Sequence, residues 1–388
     1  MLMVFLVIRE LIISLHLCIF NKIVGEYQMN RYVKLMGFIV CISLAGIASG
    51  CGNQSSHPVS VSSEKNSGET ITITDSLGRN VVISKNVKRA AITNAYNAEL
   101  ITAIGAADKI AGVDYYIYQD KAGFKNRFTK ENLIGSSQGG LNYEKIANMN
   151  PDVLILCEND NWQNAEEKLK VFGIPVVVCN AYYTDQIFDN VNMLGKIFNE
   201  EKKAKEFIDY FSSKLEYINS QLKNVQRKTI YFEYRTPGRT TIPGDYFYEM
   251  VNKAHGDNIF REAKATQIQI DDVVKRNPSY IVKVSEANVY SSYIPPTLED
   301  MKRIKAEIIS RPGWDSIDAV RDNHILLMSH YIHGGASKLV GTMYIAKFLY
   351  PEYLPDLHPE EIFHKWVSDY EGLEYHSGHT YPAYKMEE

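Results

Sequence analysis

From residue 70 onward, runs of apolar residues alternate with stretches whose apolar positions recur every three or four residues. The first kind of pattern reads as strand and the second as amphipathic helix. ITITDSLGRNVVI reads as a hairpin turning at Ser76-Leu77-Gly78-Arg79. RAAIT, KIAGVD, DVLILC and IPVVVC read as buried strands. NAELITAIG reads as a helix stopped at Gly105, YEKIANM as one stopped by Asn150-Pro151, and AEEKLKVFG as one ending at Gly173. The longest pattern runs from about Asn199 to Val225, with no Gly or Pro. Its apolar residues Ala204, Ile208, Phe211, Leu215, Ile218 and Leu222 form one narrow stripe. Asn199 is expected to cap this helix, with Glu200 and Glu201 at the positive end of its dipole. About 25 helical residues span roughly 37 Å, the width of a small domain. The alternation then resumes. KTIYFEY, YIVKV and HILLMS read as strands. DYFYEMVNKA, IDDVVKR, LEDMKRIKAEIIS, KLVGTMYIAKFLYP and EEIFHKWVSDY read as helices.

Strands alternating with helices predict parallel α/β sheets with helices on both faces. The expected organisation is an N-terminal α/β lobe over residues 70–195, a linker helix over 196–226 and a C-terminal α/β lobe over 227–388. Two Rossmann-like lobes joined by one long helix leave a ligand cleft between them. Ligands bind such sheets beyond the C-terminal ends of the strands. The loops expected there in the first lobe hold Asn94, Tyr96, Asn97, Tyr115, Tyr116, Tyr118, Asn159, Trp162, Tyr182 and Tyr183, a rim rich in aromatic side chains.

The first 69 residues follow no such alternation. Residues 1–28 are apolar but interrupted by charges. At Met29, a second possible start, Arg31 and Lys34 precede an apolar core from Leu35 to Ile47 and the small residues Ala48-Ser49-Gly50 before Cys51. This is the layout of a secretory signal peptide. The small residues before Cys51 resemble the lipobox of bacterial and archaeal lipoproteins, in which the Cys is lipidated and becomes the mature N-terminus; Ala48 stands where Leu is usual. A plain membrane anchor over residues 35–50 is the alternative. Residues 51–69 are Ser-rich and read as a flexible tether.

A formal net charge of −4 gives no case for nucleic acid. Outside the leader only Cys157 and Cys179 remain, each closing an apolar run; buried small side chains, a disulfide and a ligand contact are all open readings. No P-loop, G-x-S-x-G, HExxH or dinucleotide fingerprint occurs, so no enzyme is expected. A metal-dependent surface enzyme built on His330 and His333 is the competing class. His376 and His379 in the tail, expected at the surface, are too few for a metal site.

Glu144 precedes Asn150-Pro151 and a strand by the same spacing as Asp271 precedes Asn277-Pro278 and a strand. Two lobes of related design would each carry a carboxylate at the start of an equivalent helix, where it also suits the helix dipole. Several stretches then share one likeness: TITDSLGRNV, RAAITNAYNAELITAIGAADKIAGVD, NYEKIANMNPDVLIL, LGKIFNEEKKAKEFIDYF, HGDNIF and RPGWDSIDAVRDNHILLM. Over about residues 70–350 the chain resembles the substrate-binding proteins of ABC importers for iron complexes and cobalamin, the periplasmic-binding class whose lobes are joined by one helix.

The resemblance implies a monomeric, lipid-anchored receptor on the extracytoplasmic face of the membrane, delivering a small molecule to an ABC permease. It implies permease-docking acids at Glu144 and Asp271, with Asp272 adjacent, and only modest lobe closure. Ligand contacts are expected from Tyr96, Asn97, Tyr115, Tyr116, Trp162, Arg235, Tyr246, His330, Tyr331 and His333, with Tyr234 and Arg239 nearby. An arginine there suits a carboxylate or oxyanion, and the His and Tyr residues suit a metal complex. Many family members carry Gly-Pro-Arg before the late helix; Gly334-Gly335-Ala336-Ser337-Lys338 stands there instead, which puts a basic contact from that loop in doubt. An iron chelate of siderophore type is the expected ligand, with no other cofactor. Haem, cobalamin, molybdate and tungstate are the alternatives within the family.

Overall fold

The computed structural model describes residues 69–158, 161–285 and 293–384, all within one compact unit, Asn66–Glu388. Strands β1 (Thr70–Thr74) and β2 (Asn80–Ser84) pair antiparallel as the expected hairpin. Gly78 takes the left-handed conformation of its turn (φ 74°), which glycine adopts at low cost. The first lobe is a five-stranded sheet of β3 (Ala90–Ile92), β4 (Ile110–Asp114), β5 (Leu133–Gly135), β6 (Val153–Leu156) and β7 (Val176–Val178). The order is β5-β4-β3-β6-β7 and every pair is parallel. All residues of β3, β6 and β7 are buried, as their unbroken apolar runs require of a sheet covered on both faces.

The second lobe repeats the plan with β8 (Lys228–Tyr234), β9 (Gly256–Asn258), β10 (Tyr280–Val284), β11 (Ile325–Met328) and β12 (Thr380–Tyr381), in the order β12-β11-β10-β8-β9. Only β12 runs antiparallel. In each sheet the chain order reverses beside the first strand, between β3 and β6 and between β8 and β10. A switch point of this kind opens a crevice at the carboxyl ends of the strands.

The expected parallel alternation holds, and the differences have local causes. β5, β9 and β12 are two or three residues long. β9 is Gly-Asp-Asn, a sequence with no strand propensity that pairs with β8 only because the sheet presents an edge. Tyr115–Gln119, read as loop, is a short helix capped by the Asp114 carboxylate.

The long helix is Glu201–Leu222. Asn199 does not cap it. It adopts the left-handed conformation (φ 55°) and ends the preceding helix Ile187–Phe198, and Glu200 takes the cap position without a side-chain bond. The helix buries Ala204, Phe207, Phe211, Ile218 and Leu222, while Ile208 and Leu215 are partly buried. Phe207 and Phe211 pack against Trp366 and Tyr370 from the far end of the chain, with ring centroids 5.3–6.2 Å apart. Lys202–Glu206 and Lys205–Asp209 pairs mark the solvent face.

The tail, expected at the surface, is packed. β12 extends the second sheet beside β11, and His379 is buried with Nδ1 2.7 Å from the Ser329 hydroxyl. Thr380 and Tyr381 complete the edge of a sheet that β11 leaves open, a role that short apolar content did not signal.

Candidate functional site

The carboxyl ends of both sheets meet in one region. In the first lobe, β3 ends at Thr93-Asn94. Asn94 has positive φ (73°), held by its N–H donating to Asp114 Oδ2 (2.7 Å). Its carbonyl side-chain oxygen accepts from the Tyr96 N–H (2.9 Å), and its amide donates to the Tyr182 hydroxyl. The Tyr96 ring then meets Tyr182 edge-on at 5.5 Å. Beneath them the Gln138 oxygen accepts from the Thr93 hydroxyl and the Cys157 N–H, both at 2.8 Å, tying β3 to β6 at the switch point. Burial raises the Asp114 carboxyl, against backbone N–H donors that lower it.

In the second lobe charge does the positioning. Glu233 is buried on β8 and accepts from both Arg311 nitrogens (2.8 and 2.9 Å), from the Tyr231 hydroxyl (2.7 Å) and from the Gly238 N–H (3.0 Å). Lys283 of β10 lies 3.1 Å from it and donates to the Arg235 carbonyl. Burial alone would raise the Glu233 carboxyl; the Arg311 bond and the Lys283 charge hold it below the usual range. Arg235, the residue after β8, therefore sits in a left-handed conformation (φ 45°) at the cleft. Tyr234 stacks on Phe247 at 4.6 Å, and the His333 ring lies 5.2 Å from each. His330 crosses His333 at 4.3 Å. Burial, with Arg235 close by, pushes His330 down to about 4. Burial and the charges of His330, Lys338 and Arg235 push His333 well below the usual histidine range. Both rings are neutral at pH 7, and His333 Nδ1 is buried without a hydrogen-bond partner.

The lobes touch through side chains from both. Tyr246 packs on Tyr182 at 5.4 Å and on Tyr183 at 5.3 Å. Lys338 reaches from the second lobe to the carbonyl of Tyr182. Gly334 and Gly335 lie against Tyr96. A Cβ on either would come within 2.7–2.8 Å of that ring, so the close approach needs glycine at both positions.

The arrangement sets neutral hydroxyl and amide groups on one side, cations and neutral imidazoles on the other, and aromatic rings between. The sequence profile of the periplasmic binding proteins matches residues 90–331. The chain belongs to the periplasmic binding protein family. That family binds and hands over solutes and is not catalytic. The chain is 26% identical over 334 residues to a Bacillus subtilis protein named an uncharacterized ABC transporter substrate-binding lipoprotein, YvrC; the match spans 82% of this chain and 98% of that one. Its fold is shared by the TroA-like periplasmic binding protein FepB of Veillonella parvula (TM-score 0.66, 20% identity, 80% of this chain and 99% of that one). It is shared also by the molybdate-bound MolA of Haemophilus influenzae (TM-score 0.62, 17% identity, 79% and 99%).

In this periplasmic binding protein, Tyr96, Arg235, Tyr246, His330 and His333 come together between the lobes. Of the other five expected contacts, Asn97, Trp162 and Tyr331 are placed elsewhere. Asn97 is fully buried inside the first lobe, its amide bonded to the Thr93 carbonyl (3.2 Å) and the Cys157 sulfur (3.4 Å). Trp162 lies under the Arg79 guanidinium (4.0 Å), against the hairpin. Tyr331 is buried among Tyr293, Phe363 and His379. Tyr115 and Tyr116 are exposed on their short helix and pack on each other at 6.3 Å. Their positions in the sequence were right for strand ends; the direction of each side chain was set by the capped helix that Asp114 starts.

Lys338 and Phe247, which were not among the expected contacts, also stand at this junction, with the Lys338 ammonium 5.1 Å from the Phe247 ring. Cys157 and Cys179 are both buried, and burial pushes the Cys179 thiol upward. Among the described residues, no group of three His, Cys, Asp or Glu side chains converges to hold a metal ion. Glu144 and Asp271 are exposed in the first turns of Tyr143–Met149 and Ile270–Arg276. These two helices are equal in length, and each is ended by a left-handed asparagine, Asn150 or Asn277. Asn159, Cys51 and the leader lie outside the described residues, and among the described residues no helix is long and apolar enough to cross a membrane.

Proposed function

We propose that this protein is the substrate-binding component of an ABC importer and that it captures an anionic metal chelate, an iron complex of siderophore type. The observation that carries this reading is the junction of Tyr182, Tyr183 and Tyr246 beside Arg235 and Lys338. Aromatic faces suit an organic ligand of some size, and the cations suit its charge. A bare oxyanion such as molybdate would use the same cations but leave the rings without a role, so the chelate is the better fit.

Glu144 and Asp271 are proposed as the permease-docking points. Both are exposed and sit on matching helices of the two lobes, where a pair of fixed negative charges gives orientation and association rate more than affinity. Cys51 is proposed as the lipid attachment, supported by the leader before it and by the relative named a lipoprotein. That places the protein on the extracytoplasmic face of the membrane.

A thermal-shift screen of the purified protein tests the reading. The panel holds ferric catecholate and hydroxamate complexes, ferric citrate, haem, cobalamin, molybdate and tungstate. A ligand at a hundred times its dissociation constant stabilises the fold by about 2.7 kcal/mol. An anionic iron chelate is the expected hit. A response to molybdate or tungstate alone would sink the chelate assignment.

A further inference from the structure

Lys338 is 1% exposed, on the first turn of the helix Ser337–Leu349. Among the described residues its ammonium makes one hydrogen bond, to the Tyr182 carbonyl, and no ion pair. The rings of Phe247 and Tyr246 lie 5.1 and 5.9 Å away. A buried ammonium without a counter-ion is costly. Its place on the helix adds to the cost. The first turn is the positive end of the helix dipole, where a cation is disfavoured, and here it has no acidic residue and no side-chain cap. His333 lies close by with its own buried, unpartnered nitrogen.

We infer that Lys338 is the residue that reads the charge of the substrate: its counter-ion is an anionic group of the bound molecule, delivered between the lobes next to Tyr182 and Tyr246. The inference rests on the receptor reading above and names one contact within it. The acids that face Lys338 do not fill that role in the free protein. Asp245, Glu99 and Asp185 act on it only at longer range. Burial and the neighbouring Asp120 push the Glu99 carboxyl well above the usual range, against Lys338, which lowers it.

A pH dependence follows. Burial pulls the Lys338 ammonium down to about 7, against the three acids that raise it. An anion seated beside it restores a high value, so binding above pH 7 takes up a proton. Affinity for an anionic substrate then falls as pH rises, by about tenfold per unit above 7.

The test measures calorimetric binding of two probes to the full chain at pH 7.5 and 8.5. One is a hexadentate ferric tris-catecholate, a trianion; the other is a neutral ferric tris-hydroxamate. Wild type should lose about tenfold in affinity for the trianion across that unit and keep its affinity for the neutral complex. Lys338→Met should weaken the trianion at least tenfold and flatten its pH profile. Lys338→Arg should retain the trianion with a flat profile, because a guanidinium stays charged. Trianion binding within twofold of wild type in Lys338→Met, or an undiminished slope in Lys338→Arg, would overturn the assignment. Wild-type binding of the neutral complex alone, unchanged in Lys338→Met, overturns the role of Lys338 and leaves the receptor reading standing. Binding of neither probe overturns the siderophore-type chelate assignment and, with it, the role of Lys338.

Discussion

The two lobes present their strand ends by opposite means. The first lobe fixes Asn94 and Tyr96 with single hydrogen bonds around one carboxylate and no buried ion pair among the described residues: Asp114 accepts from the Asn94 N–H, Gln138 bridges Thr93 and Cys157, and Asn94 reaches Tyr182. The second fixes Arg235 with a buried set of charges, Glu233 with Arg311 and Lys283. The second arrangement makes sense where the group to be positioned is itself a cation. Lys283 holds the backbone of Arg235 by its carbonyl, and Glu233 neutralises Lys283, so the guanidinium stays free for a ligand. One side of the seat thus gives shape and hydrogen bonds, and the other gives charge.

Breaking the charged side should have the largest effect. Glu233→Gln removes the buried carboxylate that Arg311 and Lys283 share and should cost about 3–5 kcal/mol in chemical denaturation. A cost under about 1 kcal/mol would mean that solvent reaches the network. The same group sets an acid limit. Its carboxyl is lower in the folded than in the unfolded protein, so its contribution is present above the unfolded value, about 4.3, and is lost as pH falls through the folded one. Denaturation midpoints of wild type should therefore drop below about pH 4, and those of Glu233→Gln should drop less steeply.

Breaking the neutral side should cost less. Gln138→Leu leaves the Thr93 hydroxyl and the Cys157 N–H without an acceptor, worth about 1–3 kcal/mol by the same measurement. If it matched Glu233→Gln, the contrast between the lobes would be false.

Gly334→Ala sharpens the comparison from between the lobes. The nearest neighbours of the new methyl are atoms of the Tyr96 side chain. Melting temperature should change little while ligand affinity drops about tenfold, about 1.4 kcal/mol. The smallest effect on the fold belongs to Glu144→Ala with Asp271→Ala. Stability and binding should stay within error, while uptake into cells falls.

The fold was largely legible because its signals are long-range and redundant. Unbroken apolar runs in β3, β6 and β7, and the two Asn-Pro stops before β6 and β10, each point to the same parallel alternation. What was not legible depends on which neighbour wins a single residue. Asn199 has a good capping side chain, yet the preceding helix uses it as a left-handed stop. β9 forms from Gly-Asp-Asn because β8 offers an edge. The site divides the same way. Tyr246 and Arg235 follow from strand-end placement, but Asn97 and Tyr331 turn inward, and nothing in the periodicity distinguishes them. Lys338 looked like an ordinary helix lysine. Its burial becomes visible only when the second lobe is set against Tyr182.

The most direct test of the account is a calorimetric titration of wild type and of Arg235→Ala/Tyr246→Ala with whichever complex gives the largest thermal shift. The account predicts one site in the wild type and a loss of affinity of about a hundredfold in the variant, one factor of ten from each side chain. Equal affinity in both proteins would place the substrate somewhere other than between the lobes.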